Sequence, residues 1–289
     1  MLRIISIHFI ILSLLSCKNE MKTPNQTQDA SLILFDIRSL DSIGRLCYEK
    51  IIVDNDFQSA QNLLKSEIEK QIVSNEKDSL LLYYVYYFCL PELSKFDSVL
   101  SEKFAVECEK IIPQAKDFPL KWIALYALND YYFQLNRQDK CFDCSLKLSG
   151  FSDDIDNKYA AALNKLARAK AHELNQDYKA ALENYLSALY LSEEHSSPDI
   201  ERLVLAEISK FYQRFNLYEK ALEYKIKELQ LPSLDSNSYY HSKLDELAYI
   251  RKTNPNGNYD LNQLYEIIAF AKKNNYKRLK LFAFAFLRT

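Results

Sequence analysis

A recurrence at an interval of 40 residues is the feature that most constrains the fold of this chain. Asn129, Ala169 and Ser209 are each followed by a ring-bearing residue three positions later and by a small residue twelve positions later. The ring-bearing residues are Tyr132, His172 and Tyr212, and the small ones are Cys141, Ala181 and Ala221. Self-similarity at a fixed period of roughly 20 to 50 residues is typical of repeat architectures, in which each unit packs on its neighbours.

An aromatic residue marks the same interval at the predicted start of the second helix of each unit. The positions that carry it are Phe57, Phe96, Tyr178, Tyr218 and Tyr259, and the intervening unit has Gln138. A run with helical spacing follows Tyr178 and predicts one apolar helix face, made of Ala181, Leu182, Tyr185, Ala188 and Leu189. The sequence therefore predicts a series of helix pairs.

Two of these runs, DYKAALENY at 177–185 and NLYEKALEY at 216–224, resemble the tetratricopeptide repeat. That family alternates small and large residues on facing helices, so that two backbones approach closely. The resemblance implies an all-α fold, a right-handed α-solenoid of about six helix pairs over residues 36–289. The units here have about 40 residues where the family has roughly 34, and the first-helix glycine of the family is replaced by Asn129, Ala169 or Ser209.

The N-terminal residues predict an export signal. Arg3 precedes a mostly apolar stretch of 12 residues from Ile4 to Leu15, and a small residue, Ser16, precedes Cys17. A membrane-spanning helix needs about 20 apolar residues, so a cleaved signal is favoured over an anchor. The segment is similar to a bacterial lipoprotein signal, which implies that residues 1–16 are removed and that Cys17 carries the lipid, including palmitate. An uncleaved helix with an incidental cysteine is the alternative.

Residues 17–35 predict a lipidated flexible tether, because residues 18–30 are polar and show no apolar period. The lipid, the tether and the helical array together resemble envelope lipoproteins of the Bacteroidota. This resemblance implies a protein of the bacterial cell envelope, anchored by lipid at the outer membrane or the periplasmic face.

The charge balance gives no sign of nucleic-acid binding. The chain has 37 Lys and Arg residues against 39 Asp and Glu residues, whereas a nucleic-acid binder needs a basic face for phosphate contacts. One local excess of cations predicts a solvated helix face, with an interaction patch as the alternative; it comprises Lys272, Lys273, Lys277, Arg278, Lys280 and Arg288.

No set of catalytic or metal-binding residues can be assembled from the sequence. With 3 glycines the chain offers no phosphate-binding loop, and it has no zinc-protease, nucleophile-elbow or calcium-loop motif. Cys141 and Cys144 form a C-x-x-C motif within a predicted second helix, which favours core cysteines over a redox pair or a metal site. His172 fills the ring slot, and His195 is expected at a helix end. We expect a noncatalytic protein without cofactor or metal.

The repeat array predicts a groove that binds a protein or peptide. In the family that the chain resembles, the first helices line the concave face, which implies a partner-binding set of Tyr126, Asp130, Phe133, Gln134, Lys170, Glu173, Lys210, Gln213 and Arg214. The carboxylate clamp of that family needs Lys and Asn one turn apart; here Tyr126 pairs with Asp130 and Ala206 with Lys210, so a chaperone C-terminal peptide is not the expected ligand.

The apolar run from Leu279 to Leu287 has no polar closing helix after it, although solenoids usually end in one. Either a partner covers this end or the chain is the front part of a longer protein. The second possibility resembles envelope regulators in which repeats precede a membrane helix and an output domain. We therefore expect an envelope interaction or scaffold lipoprotein, and the alternative is a sensory input module of a regulator.

Overall fold

The protein is all-helical wherever its structure is described. The computed structural model describes residues 42–89, 93, 97–152, 158–194, 198–232, 236–255 and 261–288. These ranges contain thirteen α-helices and no strand, which confirms the predicted all-α class. Several predicted features lie outside the described residues, namely the signal peptide, Cys17, the tether, Phe96, His195 and Tyr259.

The helices are numbered in chain order, and they pack mainly on their sequence neighbours. The first seven are α1 (Ser42–Tyr48), α2 (Phe57–Ser74), α3 (Lys77–Cys89), α4 (Ser98–Ile111), α5 (Phe118–Gln134), α6 (Gln138–Ser152) and α7 (Lys158–Leu174). The other six are α8 (Tyr178–Glu194), α9 (Pro198–Arg214), α10 (Tyr218–Gln230), α11 (Ser236–Thr253), α12 (Leu261–Lys273) and α13 (Lys277–Arg288). A π-helical turn, Glu49–Val53, continues α1, and a 3-10 turn, Ile112–Gln114, continues α4.

Tight turns with a left-handed residue separate the helices of the central units. Asn136, Gln176 and Asn216 have φ angles of 55°, 61° and 59°, and each lies two positions before the next helix. Asparagine tolerates this conformation better than most side chains, because its short amide can form local hydrogen bonds. The turns of the central units therefore need no glycine. A chain with only 3 glycines can connect many helices in this way.

The small-residue slots of the repeat lie where facing helices touch. Asn129, Ala169 and Ser209 are all fully buried. The amide of Asn129 donates to the carbonyl oxygen of Cys141 over 2.7 Å, and the hydroxyl of Ser209 donates to the carbonyl oxygen of Ala221 over 2.8 Å. A polar residue is thus tolerated at this slot because the facing backbone accepts its hydrogen bond.

The buried apolar residues form two clusters with a polar layer near their boundary. The larger cluster runs from Cys47 in α1 to Phe211 in α9, and the smaller one joins α11, α12 and α13. Between them, at the contact of α10 with α11, Lys225 lies 2.6 Å from Glu228 and 3.3 Å from Asp245. The last three helices therefore meet the rest of the array partly through charged groups.

The last described helix packs against the beginning of the described fold, and this packing corrects one expectation. The α13 helix contacts the π-helical turn, its Lys277 lies 3.4 Å from Asp54, and its Arg278 guanidinium lies 5.9 Å from the ring centre of Phe57. On the inner side of the apolar run at 279–287, Leu279, Ala283 and Phe286 are buried within the chain. The prediction of a solvated basic face is wrong for Arg278, which is only 3% exposed.

Candidate functional site

The nine predicted partner-binding residues lie on the first helices of three consecutive units, and the structure joins eight of them, all except Gln213, into one network of polar and ring contacts. Helix α5 contributes Tyr126, Asp130, Phe133 and Gln134; helix α7 contributes Lys170 and Glu173; helix α9 contributes Lys210, Gln213 and Arg214. Neighbouring first helices run side by side in a repeat array, which is why residues 40 positions apart meet here.

Lys170 is the centre of the network. Its ammonium nitrogen lies 2.5 Å from Oδ1 of Asp130, 3.3 Å from Oε2 of Glu207 and 3.2 Å from the hydroxyl of Tyr126. It also sits 4.9 Å from the centre of the Tyr126 ring and 5.9 Å from that of Phe133, which are distances for cation–π attraction. The Lys170 side chain is 1% exposed, so its charge is balanced entirely by neighbours within the protein.

A second branch joins α7 to α8 and α9. The guanidinium of Arg214 binds the carboxylate of Glu173 through two nitrogens, one of them 2.7 Å from Oε2. The hydroxyl of Tyr185 donates to the same Oε2 over 3.1 Å, and the Arg214 guanidinium lies 5.3 Å from the ring centre of Phe133. The bidentate geometry fixes the direction of the Arg214 side chain.

Sequence reasoning missed Glu207, although it connects the two lysines of the network. Its Oε1 lies 2.7 Å from the ammonium of Lys210, while its Oε2 faces Lys170. Glu207 precedes Lys210 by one helical turn, and that spacing was the available signal. Gln213 contacts α11 instead, where the hydroxyl of Tyr249 donates to its side-chain oxygen over 3.3 Å.

Burial and charge pairing shift the pKa values of these groups. Burial alone would lower the pKa of Lys170, but the carboxylates of Asp130 and Glu207 outweigh it and raise that pKa well above its ordinary value. Burial would raise the pKa of Glu207, yet Lys170 and Lys210 lower it to about 2. Burial lowers the pKa of Lys210, and Lys170 adds to this effect. Lys170 and Glu207 are therefore charged at neutral pH.

Burial divides the nine residues into two groups. Tyr126, Asp130, Lys170 and Glu173 are buried and contact other parts of the chain. The other five are half-buried, and we call them the polar rim: Phe133, Gln134, Lys210, Gln213 and Arg214. The rim presents one aromatic ring, two amides and two cations to solvent, and buried groups hold several of these side chains. Such a surface can bind a partner without rearranging, which lowers the entropy cost of binding.

Cys141, Cys144 and His172 lie in surroundings typical of packed side chains. Cys141 and Cys144 are buried in α6, and burial raises the pKa of the Cys141 thiol to about 12. A redox thiol needs a lowered pKa, so this environment favours the core-cysteine interpretation. His172 is half-buried in its ring slot, 3.8 Å from the carboxylate of Asp177.

Two other features are absent from the described ranges. No group of three or more His, Cys, Asp or Glu side chains is placed there to hold a metal ion. Nor does any helix in those ranges have both the length and the hydropathy needed to cross a membrane.

In comparisons with known proteins, no family model matches the chain and no curated protein matches it. The polar network and its rim are therefore interpreted from their own geometry.

Proposed function

We propose that the chain is a lipoprotein of the bacterial envelope that binds a protein or peptide partner and performs no catalysis. In this proposal the helices form a right-handed α-solenoid of about six tetratricopeptide-like pairs, and the lipid on Cys17 holds the array at the membrane. The partner docks on the surface of the solenoid at the polar rim.

The observation that carries the proposal is the support beneath the rim. Arg214 donates two hydrogen bonds to the carboxylate of Glu173, Gln134 donates to Asp130 over 2.7 Å, and Lys210 pairs with Glu207. A surface whose side chains are fixed before binding loses little conformational entropy when a partner arrives. Aromatic rings and arginine are also the residue types that contribute most to protein interfaces.

The charge pairing supports a binding role more than a catalytic one. A general acid or base must reach a substrate and needs a pKa near the working pH. Lys170, Asp130 and Glu207 are each no more than 2% exposed, and both carboxylates bind the Lys170 ammonium. The pKa values of Lys170 and Glu207 lie away from neutrality on opposite sides.

Site-directed photo-crosslinking in intact cells of the source organism tests the docking surface. A photoreactive amino acid at Gln213, on the rim, should give a discrete adduct with one partner. The same amino acid at Lys179, which lies on the second helix α8 and has a side chain that is 89% exposed, is the matched control and should give none. The docking proposal fails if Gln213 gives no adduct, or if Lys179 gives the same one.

The anchor is tested separately with Cys17→Ser. We expect the unaltered chain to incorporate labelled palmitate and to sediment with membranes, and the variant to lose the label. Equal labelling of both chains would contradict lipidation at Cys17 and would leave the crosslinking result unaffected.

A further inference from the structure

The last two described helices have a local excess of cations over anions. Residues 261–288 contain six of the 37 Lys and Arg residues but only one of the 39 Asp and Glu residues, Glu266. The rest of the chain is therefore acidic, although the whole is nearly neutral. Such an asymmetry favours one orientation of the molecule beside a charged surface.

Most of these cations are on the surface, together with apolar side chains. Lys272, Lys273, Lys277 and Lys280 are exposed, and Leu281 and Leu287 on α13 are 57% and 39% exposed. We call these six residues the basic face. Lys277, Lys280, Leu281 and Leu287 follow helical spacing along one side of α13, whereas Leu279, Ala283 and Phe286 on its other side are buried.

The basic face spans α12 and α13, and it lies beside the beginning of the described fold. The ammonium of Lys272, on α12, lies 5.7 Å from the ring centre of Phe284 on α13. On the other side, Lys277 lies 3.4 Å from Asp54. The contact between α13 and the π-helical turn therefore brings the basic face close to the point where the chain enters the described fold at Ser42.

That entry point limits how far the basic face can lie from a lipid on Cys17. The 25 residues from Cys17 to Ser42 span about 85 Å at most when fully extended. The basic face is far from Cys17 in sequence, but the length of this segment limits its distance in space from the proposed anchor.

We propose that the basic face docks on the anionic headgroups of the membrane that holds the lipid anchor, with Leu281 and Leu287 entering the headgroup region. The inference rests on the proposed lipid attachment for its location, and on the charge and exposure of α12 and α13 for its chemistry. Lysines beside apolar side chains on a helix bind anionic lipid surfaces, and a basic patch adds to the hold of a lipid chain. Docking would give the array one fixed orientation relative to the membrane. The polar rim would then keep a constant direction relative to the bilayer.

Lysine acetylation of the full chain in vesicles tests the proposal. The purified chain is incorporated into vesicles of phosphatidylcholine alone, or with phosphatidylglycerol, and the acetylation rate of each lysine is read by mass spectrometry. We expect Lys272, Lys273, Lys277 and Lys280 to react about fivefold more slowly in the anionic vesicles. Lys179 and Lys220, whose side chains are 89% and 59% exposed, should react equally in both.

Matched charge reversals give the control. Lys273→Glu with Lys280→Glu should restore the reactivity of Lys272 and Lys277 in anionic vesicles, while Lys179→Glu with Lys220→Glu, the same change of charge elsewhere, should not. High salt should also abolish the protection, because it screens the attraction.

Three results would overturn the proposal. The first is that the four lysines of the basic face are not protected from acetylation in anionic vesicles. The second is equal protection in vesicles of phosphatidylcholine alone. The third is the same protection in detergent without vesicles, which would indicate a protein occupant or a second copy. None of these readings depends on the rim crosslink or on palmitate labelling. Failure of membrane docking is therefore distinguishable from failure of the proposed function.

Discussion

Replacing Lys170 with methionine tests whether the inner network is a buried, mutually balanced set of charges. Methionine has a similar length and fills the space beside Tyr126 and Phe133, so the main change is the loss of one charge. Asp130 then keeps only its 2.7 Å hydrogen bond from Gln134, while Glu207 keeps its ion pair with Lys210.

The expected cost comes mainly from the uncompensated Asp130 carboxylate, which is 2% exposed. Removing one partner of a buried ion pair destabilises a protein by about 3–5 kcal/mol, because the remaining charge stays desolvated. Adding Asp130→Asn removes that charge and keeps an oxygen to accept from Gln134. The double variant should therefore recover about 2 kcal/mol or more of the loss.

Urea unfolding measures both effects. Because repeat arrays can unfold in parts, one free energy of unfolding applies only where far-ultraviolet circular dichroism and the fluorescence of Trp122, the single tryptophan, give the same midpoint. Lys179→Met, at a side chain that is 89% exposed, is the matched control and should change stability by less than about 0.5 kcal/mol. The reasoning is refuted if Lys170→Met costs under about 1 kcal/mol, or if Asp130→Asn makes the variant still less stable.

Three further predictions concern other parts of the chain. Burial and the nearby Arg278 lower the pKa of His241 from 6.5 to about 3, so its contribution to stability is complete above pH 6.5 and is lost as the pH falls. The free energy of unfolding from urea titration should fall between pH 7 and pH 5 by about 2 kcal/mol more in the wild type than in His241→Phe, and an equal pH dependence would contradict this. Cys141 and Cys144 should resist a thiol reagent at pH 8 in the native protein and react in urea, as peptide mass spectrometry would show; rapid native labelling would contradict their burial. Gly44→Ala should cost about 1–3 kcal/mol of stability, because its new Cβ would lie 2.7 Å from Cζ of the buried Tyr86. The new Cβ of Gly150→Ala would have no atom within 4 Å, so this substitution should be neutral or stabilising by about 0.5–1 kcal/mol. Thermal unfolding checks both, and equal effects would contradict the packing at α1.

The parts of the fold that depend on local periodicity could be predicted from the sequence. Phe57, Gln138, Tyr178 and Tyr218 were predicted to open second helices, and each is the first residue of a helix. The small slots were also predictable, because a side chain must be small wherever two helix backbones approach. The left-handed turns repeat in the sequence as Asn136, Gln176 and Asn216, although their role became clear only from their φ angles.

The connections within the site depend on geometry that no single segment specifies. The resemblance to a known repeat placed Asp130, Lys170 and Lys210 on one face, but the depth of their burial depends on how closely three units stack. Glu207 lies outside the inner positions of that repeat, so it was missed. The packing of α13 on the π-helical turn depends on the summed rotation of all the units between them, which the sequence of one unit cannot reveal.

Zero-length carbodiimide crosslinking of the monomer tests most directly whether the array brings its last helix to the start of the fold. The Lys277 ammonium and the Asp54 carboxylate are 223 residues apart in sequence and 3.4 Å apart in space. We expect a peptide pair joined through Asp54 and Lys277, at a yield comparable to the pair joined through Glu109 and Lys140, which are 2.9 Å apart. Formation of the second pair without the first would contradict the closure of the array and the placement of the basic face near the anchor.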